Sequence, residues 1–216
     1  MVSYTYHTED SSDPHSRYPV GMKVWTLTNE NGKYTPVRQT DFDDILRYSG
    51  MSIRVAGKQG IRMITSVDLA RKNSLISENL AGYTLKEYGT VVAWADQVAD
   101  QPLVLGKSYV ISAYAYRKGI ADPVFAYDGN RMQYTNVLVG FREDQCRDDL
   151  AMRPYMILAD AAGNEITLYG GIVHRSIGYI AYQNRNTFAS GTEAYQYVWD
   201  IIHNVYGDLY DEEYAA

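Results

Sequence analysis

The stretch MSIRVAGKQGIRM, residues 51–63, decides the fold. Met51, Ile53 and Val55 alternate with Ser52 and Arg54, the segment from Gly57 to Gly60 turns the chain, and Ile61 and Met63 alternate with Arg62. A period of two around a glycine-bearing turn is the pattern of an antiparallel hairpin with one face on a core. Upstream, GMKVWTLTNENGKYTPV (21–37) repeats the pattern around Asn31-Gly32, a dipeptide that supplies the positive φ angles of a tight turn. Downstream, strands are expected at 90–95, 109–117, 133–141, 155–159 and 165–169. The run from Asp160 to Asn164 reads as the loop joining the last two, and Tyr127-Asp128-Gly129-Asn130 reads as a further hairpin turn.

Helical signals are fewer. Thr40 and Asp43 precede Phe42, Ile45 and Leu46 as a weak capping pattern, predicting a short helix there. Residues 68–80 place Leu69, Leu75, Ile76 and Leu80 roughly on one face, with Gly82 as a stop. In 176–183, Ile177, Ile180 and Ala181 share a side. The clearest helix is the last: Ser190 and Glu193 form a capping box, Tyr195, Val198, Trp199, Ile202 and Tyr206 follow at i, i+3, i+4 spacing, and Gly207 ends it. That apolar face is expected to be core. Strands outnumber helices and the helices come late. The prediction is a β-rich α+β fold, with antiparallel sandwich-like sheets, a few short helices and a C-terminal amphipathic helix.

The expected organisation is a polar arm or linker at 1–19, one β-rich module at 20–207 and an acidic tail at 208–216. Polar ends of this kind are expected of a module cut from a longer protein. At 216 residues the chain buries enough surface, roughly 70% of the unfolded total, to fold without metal or disulfide. No stretch reaches the ~20 apolar residues of a membrane-spanning helix, so no membrane insertion is expected. Net charge is −6 and no basic run occurs, so nucleic acid is not an expected partner. A single cysteine, Cys146, forbids an intrachain disulfide. That suits a reducing cytosol or a cysteine-poor protein secreted by a Gram-positive bacterium.

Signatures of catalysis are missing. The chain has no Walker loop, Gly-rich dinucleotide turn, G-x-S-x-G, His-Glu-x-x-His or Cys-x-x-Cys. His7, His15, His174 and His203 lie apart and share no ligand spacing, so no metal and no cofactor are expected. Cys146 sits in REDQCRDD, where acidic neighbours disfavour the thiolate a nucleophile needs. The acidic doublets, such as Asp43/Asp44 and Asp148/Asp149, read as solvated loops rather than a glycosidase pair.

Tyrosine is the outlier: 21 Tyr against 4 Phe. Tyr joins an apolar ring to a polar edge, which suits half-buried strands and wet binding surfaces alike. Sugar rings stack on flat aromatics, and the candidate ligand-binding residues are Trp94, at a strand exit beside Asp96-Gln97, and Trp25 with Tyr34 in the first hairpin. For each ring the competing reading is a core plug.

Six stretches taken in order, SIRVAGKQGIRMITSVD, EYGTVVAWAD, YVISAYAY, YTNVLVGF, MRPYMILADAAGNEITLYGG and HRSIGYIAY, resemble a β-rich module repeated in large surface and dockerin-bearing proteins of gut Firmicutes. The resemblance covers about 51–183 and brings no catalytic residues with it. It implies an extracellular or cell-surface accessory module of a Gram-positive bacterium, set among other domains of a larger protein that displays or degrades polysaccharide. Arg62, Arg153 and Arg175 fall where the resemblance places arginines, and a structural ion pair with acids such as Glu87 or Asp96 is expected of them. The leading expectation is a monomeric, non-catalytic module with polysaccharide as its partner. The rivals are a structural or protein-contact module, and an enzyme of unrecognised type built on converging titratable groups.

Overall fold

The computed structural model describes residues 2–6, 23–30, 33–40, 46–68, 84–99, 101–120, 123–128 and 131–207, and for the first three strands it describes the backbone alone. The helices expected after Thr40 and over 68–80 lie outside the described residues, except that Leu46 and Asp68 are in strands. Every strand pairing among the described residues is antiparallel. Among the described residues, twelve strands and two α-helices make the β-rich α+β class expected.

Strands β1 (Val2–Tyr6), β2 (Lys23–Glu30) and β3 (Lys33–Thr40) form one sheet in that order. Glu30 opposes Lys33 at the end of the β2–β3 ladder, and the expected Asn31-Gly32 turn lies outside the described residues. The second sheet has the order β4 (Leu46–Arg54), β5 (Gly60–Asp68), β9 (Arg131–Val139), β8 (Ala126–Asp128). The third runs β11 (Glu165–Tyr169), β10 (Asp149–Ala159), β6 (Thr84–Trp94), β7 (Ile111–Arg117), and β12 (Val173–Ser176) also pairs with β10.

The second and third sheets share two apolar clusters. In one, Leu46, Val67, Met132 and Tyr134 meet Leu85, Tyr88, Tyr116, Met156 and Leu158. In the other, Ile53, Ile61 and Met63 meet Val92, Leu150, Met152 and both helices, α1 (Ile177–Gln183) and α2 (Glu193–Tyr206). A third cluster lies on the opposite face of β6 and β10, where Val98 and Leu103 cover Val91, Ala93, Ala151 and Tyr155. A strand buried on both faces carries apolar residues at consecutive positions rather than alternate ones. This is why GTVVAWA and YMILA read as continuous runs.

Strand β10 begins six residues before the expected start at Tyr155. In the structure Pro154 lies inside the strand opposite Thr90, and its carbonyl accepts from the Gly170 amide at 3.0 Å. Helix α2 is capped by Thr192 rather than Ser190: the Thr192 side chain accepts from the Tyr195 amide at 3.1 Å. Gly191, at φ +83, turns the chain immediately before it. Only from Thr192 does the hydroxyl reach the first turn.

Gly89 marks a bulge. Tyr88 opposes Tyr116 but Gly89 opposes Tyr114, so Ala115 is left over. A Cβ at Gly89 would stand 2.6 Å from the Ala113 carbonyl oxygen and 2.8 Å from the Tyr114 Cα, both backbone atoms. Gly89→Ala is expected to cost about 2–3 kcal/mol, through strain rather than lost burial, and the urea midpoint reads it. A loss under ~0.5 kcal/mol would show that the bulge yields freely.

Candidate functional site

Trp94 closes β6 opposite Leu150, and its half-buried ring packs against the cluster that holds both helices. Asp96 and Gln97 are exposed in the 3-10 turn that follows, Ala95–Val98. Trp25 opposes Tyr4 and Arg38, and Tyr34 opposes Asn29; the side chains of this sheet lie outside the described residues. The three expected arginines separate. Arg62 is exposed on β5. Arg153 is buried, donates from Nε to the Gly170 carbonyl at 2.7 Å and lies over the Tyr169 ring. Arg175 is exposed, with its guanidinium carbon 5.1 Å from the centre of the Tyr179 ring. Glu87, an expected partner, is engaged by Arg117 instead.

Arg175 and Tyr179 belong to a cleft of about 340 Å³ between β4, β12 and α1, whose other polar lining is Tyr48, Ser49, Gln183 and Asn184. Ser176 starts α1 by accepting from the Tyr179 amide at 3.1 Å. Gly178 lets α1 close on α2, since a Cβ there would meet Val205 at 2.7 Å. Asn184 ties the far end of α1 to β4, its Nδ2 donating to the carbonyls of Met51 at 3.1 Å and Ile180 at 2.7 Å. The Tyr48 hydroxyl donates to Thr90 Oγ1 at 3.1 Å, and burial raises its pKa well above the ordinary phenol value. The site is preformed by secondary structure and is large enough for a small ligand.

A second cleft, of about 540 Å³, is lined by Lys58, Phe141, Arg142, Glu143, Cys146 and Tyr197 among others. Burial raises the Cys146 pKa, and Glu143 and Asp144 push it further the same way, as the acidic surroundings predict.

One polar network was not legible in the sequence. The Tyr155 hydroxyl donates to Glu87, whose other oxygen meets Arg117 Nε, and Ser112 lies 2.9 Å from the same hydroxyl. Burial, with the Glu87 hydrogen bond second, holds the phenol protonated. The bonds to Glu87 and Ser112 hold the Tyr155 hydroxyl in place. The network's bonded pairs are 30 to 68 residues apart in the chain, too far for any spacing rule.

Among the described residues no three His, Cys, Asp or Glu side chains group to hold a metal, and no helix is long and apolar enough to cross a membrane. His174 lies in β12 and His203 on α2, while His7 and His15 fall outside the described residues. Comparison with protein-family models, with curated proteins and with solved structures gives no match in any of the three.

Proposed function

We propose that this protein is a non-catalytic binding module that holds a hydroxyl-rich ligand, a stretch of polysaccharide, in the cleft between β4, β12 and α1. The lining of that cleft carries the reading: two tyrosines, a guanidinium, two carboxamides and a serine, with no carboxylate or histidine among the residues described there. Amide, hydroxyl and guanidinium groups match sugar hydroxyls, and the exposed Tyr179 side chain offers an aromatic surface. General acid–base chemistry needs a group that titrates near neutrality, and this lining supplies none. With the resemblance of 51–183, the reading extends to a monomeric accessory module of a Gram-positive extracellular or surface protein.

Retention in polysaccharide affinity gels, screened over starch, cellulose and related polymers, tests the cleft. Tyr179→Ala and Arg175→Ala each remove an exposed side chain, so the fold is expected to hold within ~0.5 kcal/mol. Retention of the neutral polymer is expected to fall at least ~10-fold, the equivalent of ~1.4 kcal/mol. Unchanged retention in both variants overturns the assignment. The second reading, contact with another protein, is favoured by Ile111, Ile120 and Val124, which are 57%, 62% and 78% exposed along and beyond β7.

A further inference from the structure

The outer face of the second sheet is basic in an acidic protein. Inward positions of β4, β5 and β9 carry Leu46, Ile53, Ile61, Met63, Val67, Met132 and Tyr134, all buried. The alternate positions look away from the core. Strands β4 and β5 with their turn, residues 46–68, contain Arg47, Arg54, Lys58 and Arg62 against one acid, Asp68, and β9 contains one charged residue, Arg131, which opposes Asp68. The whole chain nevertheless has a net charge of −6. Arg47, Lys58 and Arg62 are exposed. None has a carboxylate partner among the described residues, where the ion pairs are Arg117–Glu87 and Arg142–Asp144.

Register sets the cations in a strip. Arg47 opposes Ser66, and Arg62, four residues along β5, opposes Ser52 and Val137. At 3.3 Å per residue this puts Arg47 and Arg62 roughly 13–14 Å apart, with Arg54 and Lys58 beyond them at the turn. Between the cations Thr135 is exposed beside Val137, and the half-buried Gln133 donates to the buried Ser66 at 3.3 Å.

We propose that this face docks an anionic polysaccharide, a uronate-bearing polymer. Guanidinium groups match carboxylates in bidentate geometry, and the hydroxyls and amide between them suit sugar hydroxyls. A nucleic acid is the poorer fit. Duplex DNA carries a charge every ~1.7 Å, against which four spaced cations in a net-acidic protein are sparse. The aromatic residues of these strands, Tyr48 and Tyr134, turn inward to Thr90 and Gly89, so none is placed for base stacking. The choice of a polysaccharide rests on the carbohydrate reading above; the cationic face does not.

The test compares polygalacturonate, a neutral polysaccharide and single-stranded RNA as ligands for the wild-type protein and for the Arg47→Gln/Arg62→Gln double variant. Wild type is expected to bind polygalacturonate more tightly than RNA, with affinity falling as salt rises. The double variant is expected to lose at least ~10-fold while keeping its melting temperature and any neutral-polymer retention. Tyr179→Ala is expected to leave polygalacturonate binding unchanged, so that a failure of the cleft and a failure of this face give different results. No binding of polygalacturonate by the folded wild type, unchanged binding by the double variant, or tighter binding of RNA each overturns the proposal.

Discussion

Raising the pH through about 10 is expected to unfold this protein over a narrow interval. Tyr88, Tyr134 and Tyr155 are each at most 1% exposed, and burial raises the pKa of all three phenols above the ordinary value. In the folded state they keep their protons, while in the unfolded chain each ionises near pH ~10. Above that pH the unfolded state binds fewer protons than the native one, so stability falls as pH rises. It is intact below the unfolded pKa. By pH 12 each phenol that remains protonated costs up to about 2.7 kcal/mol, and three together approach the total stability of an ordinary domain. Urea midpoints at pH 8, 10 and 11.5, followed alongside phenolate absorbance, measure it. A midpoint unchanged at pH 11.5 would refute the burial of these rings. Tyr134→Phe removes one proton from the balance and should flatten the fall.

The second large effect is expected from Tyr88→Ala, at about 4 kcal/mol. Tyr88 is the centre of an aromatic cluster, with ring centroids 5.3 Å from Tyr116, 4.8 Å from Phe125 and 4.5 Å from Tyr134. Its hydroxyl also bonds both backbone groups of Val124, accepting from the amide at 2.9 Å and donating to the carbonyl at 3.0 Å. Truncation would open a cavity between the two sheets and release the segment before β8 together. Tyr88→Phe keeps the packing and should cost only ~1 kcal/mol, because the exposed Val124 backbone can turn to water. A loss under ~1 kcal/mol for the alanine variant would remove the ring from the core.

These two expectations reinterpret the tyrosine excess. Part of it is core whose hydroxyls have found fixed partners: Tyr134 donates to the carbonyls of Gly89 and Tyr155 at 3.0 and 3.2 Å. Another part is surface, as with Tyr114 under Arg117 and Tyr179 under Arg175. Composition alone could not divide the two groups, because Tyr suits either environment.

What the sequence by itself determined is local. The hairpins at 21–37 and 51–63, the β10–β11 loop from Asp160 to Asn164, helix α1 and the Gly207 stop of α2 all follow from period, turn residues and caps, which act within a few positions. The upward push on the Cys146 pKa was legible only in part: its acidic neighbours adjoin it in the chain, but burial, the larger cause, comes from the fold. Tertiary structure decided the rest. It extended β10 through Pro154, gave Glu87 to Arg117, and brought Tyr48 and Ser49 against Arg175 and Tyr179 from more than a hundred residues away. It also gathered Arg47 and Arg62 on one open face. Their spacing in the chain conceals this, because strand alternation hides every second residue and only pairing register brings the exposed ones together.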